Sequence, residues 1–130
     1  NYLNIHIWPY NWSWVKAVSL TELLPRAKEN TKKYIDDHMV IARRYSKPIV
    51  LEEFGFPRDG FSFSKEAPTT ARDEYYRYVF DLIRQDRESG GLFAGCNSGH
   101  GVVLPDKIPT MYFGKREMTI PVTRLKSNKG

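Results

Sequence analysis

Three short apolar runs alternate with two longer amphipathic stretches, and that order leaves few folds open to the chain. Tyr2 to Trp8 alternates as a strand does, and Pro9 to Trp14 then reads as an aromatic-rich loop. From about Arg26 to Tyr45 the apolar positions Tyr34, Ile35, Met39, Ala42 and Tyr45 recur at helical spacing, with Pro25 suited to a first turn. Pro48 to Phe54 is the second strand, followed by a Gly/Pro/Asp-rich loop from Gly55 to Pro68. Thr70, with Asp73 three residues on, resembles a capping box. Tyr75, Tyr76, Val79, Phe80 and Ile83 form one helical stripe that Gly90-Gly91 ends, and Leu92 to Cys96 is the third strand. Strand, helix, strand, helix, strand predicts a parallel α/β sheet. Two helices cannot cover both faces of such a sheet, so the segment is expected to be the last quarter or third of an eight-stranded (β/α)8 barrel, about strands six to eight.

The second strand carries the chemistry. Pro48-Ile49-Val50-Leu51 runs into Glu52-Glu53-Phe54-Gly55, which sets two carboxylates where a buried run meets a glycine. Desolvating a carboxylate costs several kcal/mol or raises its pKa, so one of the pair is a candidate catalyst. Strict alternation puts Glu53 on the face of Ile49 and Leu51 and Glu52 on that of Val50, so only one can enter any single site. On spacing alone, two merely solvated carboxylates at a strand end fit equally well. His6, Trp8, Glu52, Glu53 and Asn97 all fall at the carboxyl edge of the strands, where a barrel of this type places its site.

Composition narrows the partners. The net charge of +5 is unevenly spread, with 14 Lys and Arg against 13 Asp and Glu in residues 1–97, and 6 against 2 in residues 98–130. Sixteen of the 18 aromatics also precede residue 98. The balanced first part argues against a nucleic-acid partner, and no run reaches the roughly 18 apolar residues of a membrane span. Cys96, the single cysteine, excludes an internal disulfide and a cysteine metal cluster, and reads as a small buried hydrophobe. Asp36, Asp37 and His38 read as a solvated helix face.

The stretches YLNIHIWPYNWSW, ENTKKYIDDHMVIARRYSKPIVLEEFGFPRDGF and ARDEYYRYVFDLI resemble the C-terminal part of the catalytic domain of family 5 glycoside hydrolases, above all the β-mannanases of bacterial gut and rumen type. The resemblance covers residues 1–97. It implies a retaining endo-β-1,4-mannanase that needs no cofactor or metal, takes mannan, glucomannan or galactomannan, is a monomer at full length, and is secreted or periplasmic. KPIVLEEFG is similar to the family's seventh barrel strand, which makes Glu53 the nucleophile. The acid/base Glu is expected upstream of residue 1. His6 resembles the family's sixth-strand His beside the sugar under attack. Trp8 stands where many members have a Tyr that bonds the nucleophile, so that role is open to Tyr10. Trp12, like Trp14, is either a sugar platform or loop packing. A family 5 endoglucanase and a non-catalytic carbohydrate-binding remnant are the alternatives.

After Asn97 the family pattern stops at once. A continuation of the kind the family shows, starting NFWAWGG, reads Asn97-Ser98-Gly99-His100-Gly101-Val102-Val103 if one T is dropped from its Phe codon, and longer strings of that kind carry the new frame to Gly130. Residues 98–130 are therefore expected to be a frameshifted, disordered basic tail, and the chain alone is expected to be inactive.

Overall fold

The structure, a computed structural model, describes residues 1–97 together with the backbone of two short strands further on. Strands β1 (Leu3–Ile7), β2 (Ile49–Phe54) and β3 (Phe93–Cys96) form one parallel sheet in the order β1-β2-β3. Helix α1 (Leu24–Arg44) links the first two strands and α2 (Thr70–Glu88) the second pair. Beyond them β4 (Met111–Phe113) and β5 (Arg116–Met118) pair antiparallel. Apart from that pairing, the expectation of a disordered tail over 98–130 lies outside the described residues.

The core sits on one face of the sheet. Ile5, Ile7, Ile49, Leu51 and Phe93 are buried there against Ile35, Met39 and Ala42 of α1 and Tyr75, Val79 and Ile83 of α2. The opposite face carries Asn4, His6 and Val50, none of them buried. A free-standing doubly wound sheet carries helices on both faces, so one-sided cover is the geometry of a barrel segment. Where the helices meet, the Thr31 and Tyr75 hydroxyls share a hydrogen bond of 2.7 Å in full burial. Each hydroxyl answers the desolvation of the other.

Both helices end in the same way. After α2, Gly90 takes a left-handed φ of 76°, Gly90 N–H bonds the Arg87 carbonyl, and Gly91 N–H bonds that of Asp86. After α1, Ser46 does the same at φ 50°, with Ser46 N–H on Arg43 and Lys47 N–H on Ala42. These are Schellman caps, and only the first has the glycine that such a backbone favours. The start of α2 departs from the expected capping box. Thr69 is the N-cap residue, its hydroxyl bonding Asp73 Oδ2, and the Ala71 N–H is met by Asp59 Oδ1 from the preceding loop. A loop carboxylate twelve residues away thus satisfies one of the orphan donors of the first turn.

The expected alternation of β2 breaks at the carboxylates. Ile5 pairs with Leu51 but His6 pairs with Glu53, so the register shifts and Glu52 is the extra residue of a bulge. Leu51 and Phe54 are both buried, three positions apart, with the two glutamates between them. The assignment of Glu53 to the face of Ile49 and Leu51 is therefore incorrect. Glu52 reaches the side chains of Tyr2 and Asn4, and Glu53 that of His6, the even positions in and just before β1.

Candidate active site

Two carboxylates and a row of β1 side chains meet at the uncovered face. The Tyr2 hydroxyl donates to Glu52 Oε1 at 2.7 Å, and Asn4 Nδ2 donates to Glu52 Oε2 at 3.0 Å. The Tyr2 bond chiefly, then that from Asn4, holds the Glu52 carboxyl below the usual glutamate range, while the same bond raises the Tyr2 phenol. Glu52 is thus kept ionised and oriented, and a proton donor needs the opposite tuning. Neighbouring Glu53 has its Oε2 3.3 Å from His6 Nδ1, with both side chains about half exposed, at 51% and 43%. With the proton on Nδ1, His6 donates to one oxygen of Glu53 and leaves the other open toward solvent.

The glycine after Phe54 has a spatial reason. A Cβ added at Gly55 would lie 2.5 Å from Trp8 Cζ3, so the indole lies directly against the backbone there. Trp8, Tyr10, Phe61, Arg58, Arg72 and Tyr76 are among the residues lining a cleft of about 370 Å³ between the loop after β1, the loop after β2 and the first turns of α2. Its lining does not include Glu53 or His6, but does include Trp8 and Gly55, each two residues further along the chain from one of that pair.

The sequence-predicted residues separate into three places. His6 and Glu53 come together. Trp8 and Tyr10 line the cleft, where Tyr10 stacks on Phe61 at 4.2 Å. No hydrogen bond joins the Tyr10 hydroxyl to Glu53, so the tyrosine role opened to it is not filled in this geometry. Trp12 packs against Trp14 of the same loop at 5.1 Å and against Tyr34 of α1 at 5.2 Å. His38, expected on a solvated face, bonds the Tyr34 carbonyl and packs at a tilt against that ring, whereas Asp36 and Asp37 do stay exposed in i,i+4 pairs with Lys32 and Lys33. Sequence reasoning missed Tyr2, Asn4 and Phe61. The signal for the first two was present, since polar side chains at positions 2, 4 and 6 mark one face of β1 and of the residue just before it.

Burial pushes the Cys96 thiol up to about 12, which keeps it protonated and unreactive. Among the described residues no group of three or more His, Cys, Asp or Glu could hold a metal ion, and no helix is long and apolar enough to cross a membrane.

A family model described as GH family 5 beta-mannosidase-like matches residues 1–118. Among solved structures, the glycoside hydrolase family 5 mannosidase from Rhizomucor miehei is 27% identical, with a TM-score of 0.70 over 88% of this chain and 31% of that one. A variant of that enzyme in complex with mannosyl-fructose matches with the same identity and TM-score, over 30% of its chain. A hyperthermostable endo-1,4-beta-D-mannanase from Thermotoga petrophila is 25% identical, with a TM-score of 0.43 over 96% of this chain and 32% of that one. No curated protein matches. The chain thus spans about a third of the length of these solved structures. With a parallel α/β sheet, a Glu-Phe-Gly strand end and a family match over most of its length, the chain belongs to glycoside hydrolase family 5, in its β-mannosidase-like group.

Proposed function

We propose that the chain supplies the nucleophile side of a retaining, endo-acting β-mannan hydrolase, with β1, β2 and β3 as the sixth, seventh and eighth strands of the barrel. The observation that carries this reading is the His6–Glu53 pair at the carboxyl ends of adjacent parallel strands. Glu53 attacks the anomeric carbon with its open oxygen to form a glycosyl-enzyme, which water then hydrolyses. The leaving oxygen takes a proton from a second carboxyl roughly 5–5.5 Å away, as retaining glycosidases require. Glu52 is held ionised by Tyr2 and Asn4 and does not fill that role, so the acid is assigned to the part of the domain that precedes these residues.

In a complete catalytic domain containing residues 1–97, Glu53→Ala is expected to abolish hydrolysis of mannan, whereas Glu52→Ala acts on orientation or stability and leaves measurable turnover. Full activity in Glu53→Ala would overturn the assignment. A second reading, release of single mannose units, is favoured by the family description and by the disaccharide held by the Rhizomucor miehei relative. Chromatography of early products separates the two: mixed oligosaccharides support endo action, and mannose alone supports the other.

Residues 98–130 are proposed to be a frameshift product, and the 130-residue chain to be inactive. An uninterrupted, well-covered reading of NSGHG in the parent DNA would sink the first proposal. Glu53-dependent mannan hydrolysis by the purified chain would sink the second.

A further inference from the structure

The cleft beside Trp8 is lined by three cations and by no carboxylate. Arg58, Lys65 and Arg72 all line it, and none of its lining residues is Asp or Glu. Among the described residues Arg58 gives its guanidinium to the Ala67 carbonyl and Arg72 lies over the Tyr76 ring at 5.5 Å, while Lys65 is exposed. None of the three forms a salt bridge within the described residues. Glu66, adjacent in sequence to Lys65, accepts from the Ser64 hydroxyl at 2.6 Å and also feels the charge of Arg58, but lies outside the lining. Three positive charges around a largely apolar cleft make a field that favours an anion.

The walls say what kind of anion. Trp8, Tyr10 and Phe61 line it, the last two stacked on each other, and Phe63 at the rim is 92% exposed. Gly60 and Phe61 are successive left-handed residues, at φ 64° and 56°. A left-handed Phe costs about 1–2 kcal/mol, and here that conformation stacks its ring on Tyr10. Small anions such as phosphate gain nothing from aromatic walls, whereas a pyranose ring lies flat on them. The volume of about 370 Å³ falls within the range of about 300–1,000 Å³ usual for small-molecule sites.

We propose that this cleft is a subsite for a uronic acid unit, a sugar ring that rests on the aromatic wall while its carboxylate faces Arg58, Lys65 and Arg72. Guanidinium groups match a carboxylate in fork geometry, and the lysine adds a point charge. This inference rests on reading the chain as part of a glycan-acting domain, and extends it from neutral mannan to acidic, uronate-bearing chains.

The test is calorimetric titration of the 130-residue chain with glucuronosyl-mannose and with its carboxyl-reduced counterpart, glucosyl-mannose. The acidic disaccharide is expected to bind about tenfold or more tightly than the reduced one, the scale of one charge-assisted hydrogen bond. Lys65→Gln and Arg72→Gln should each shrink that ratio several-fold. Lys65 is exposed, so its replacement is not expected to disturb folding. Equal affinity for the two sugars, binding of neither, a ratio untouched by both substitutions, or inorganic phosphate competing as well as the uronate would each overturn the proposal. Hydrolysis of unsubstituted mannan is measured separately on the complete domain. Glu53-dependent hydrolysis without uronate preference sinks the subsite and keeps the proposed function. Uronate binding without such hydrolysis does the reverse.

Discussion

Gly55→Ala tests whether the glycine after the two glutamates is there for Trp8. A new Cβ would stand 2.5 Å from Cζ3 and 3.2 Å from Cε3 of the indole, against an ordinary carbon contact of about 3.5–4.0 Å. The backbone cannot retreat easily, because Phe54 and Phe56 on either side are buried and Gly55 N–H bonds the Ile7 carbonyl. Trp8 must therefore back away by about 1 Å, an overpacking of a kind that costs about 1–3 kcal/mol. The lost freedom of the unfolded glycine returns about 0.4–1 kcal/mol, which leaves a net destabilisation of about 1–2 kcal/mol. Urea unfolding followed by tryptophan fluorescence reads this directly. The same substitution in a Trp8→Ala background should be neutral or mildly stabilising, since the clash is gone. An equal cost in both backgrounds, or no cost in the native one, would refute the reasoning. If Trp8 contacts sugar, Gly55→Ala should also weaken binding in the adjoining cleft.

Other consequences are independent of that contact. Thr31→Val and Tyr75→Phe should each cost about 1–3 kcal/mol by orphaning the partner hydroxyl, while the double variant costs clearly less than their sum. Additive costs in a denaturant double-mutant cycle would contradict a shared bond. Ser46→Gly should stabilise the chain by about 0.5–1 kcal/mol, because Ser46 holds a left-handed φ that glycine adopts freely. An unchanged urea midpoint would count against strain there. Glu52 has a folded pKa below its ordinary 4.5, so its contribution to stability is complete above about pH 4.5 and is lost as pH falls through the folded value. Tyr2 is raised above 10.0, so its contribution is complete below that pH and is lost as pH rises through the folded value. Glu52→Gln should therefore flatten the acid limb of a stability profile measured from pH 6 to 3, and a parallel profile would refute the Tyr2–Asn4–Glu52 network.

Local periodicity was enough to give the order of β1 to β3 and the two helices between them, though not β4 and β5, and the helical stripe from Tyr75 to Ile83 is buried as its spacing required. These are local periodicities, and each helix or strand obeys its own period whatever surrounds it. The sequence also placed two adjacent carboxylates at a strand end, because Glu-Glu-Phe-Gly is a contiguous signal. What it could not decide was the direction of those carboxylates. Alternation holds only while pairing holds, and the bulge that turns Glu52 and Glu53 to one side exists only when β2 lies against β1. The same limit applies to Trp12, whose neighbour Tyr34 is one helix away in sequence, and to Asp59, which caps a helix twelve residues on. Contacts between segments depend on where the chain folds back, so the cleft built from the loop after β1, the loop after β2 and α2 became visible only once tertiary packing had joined them.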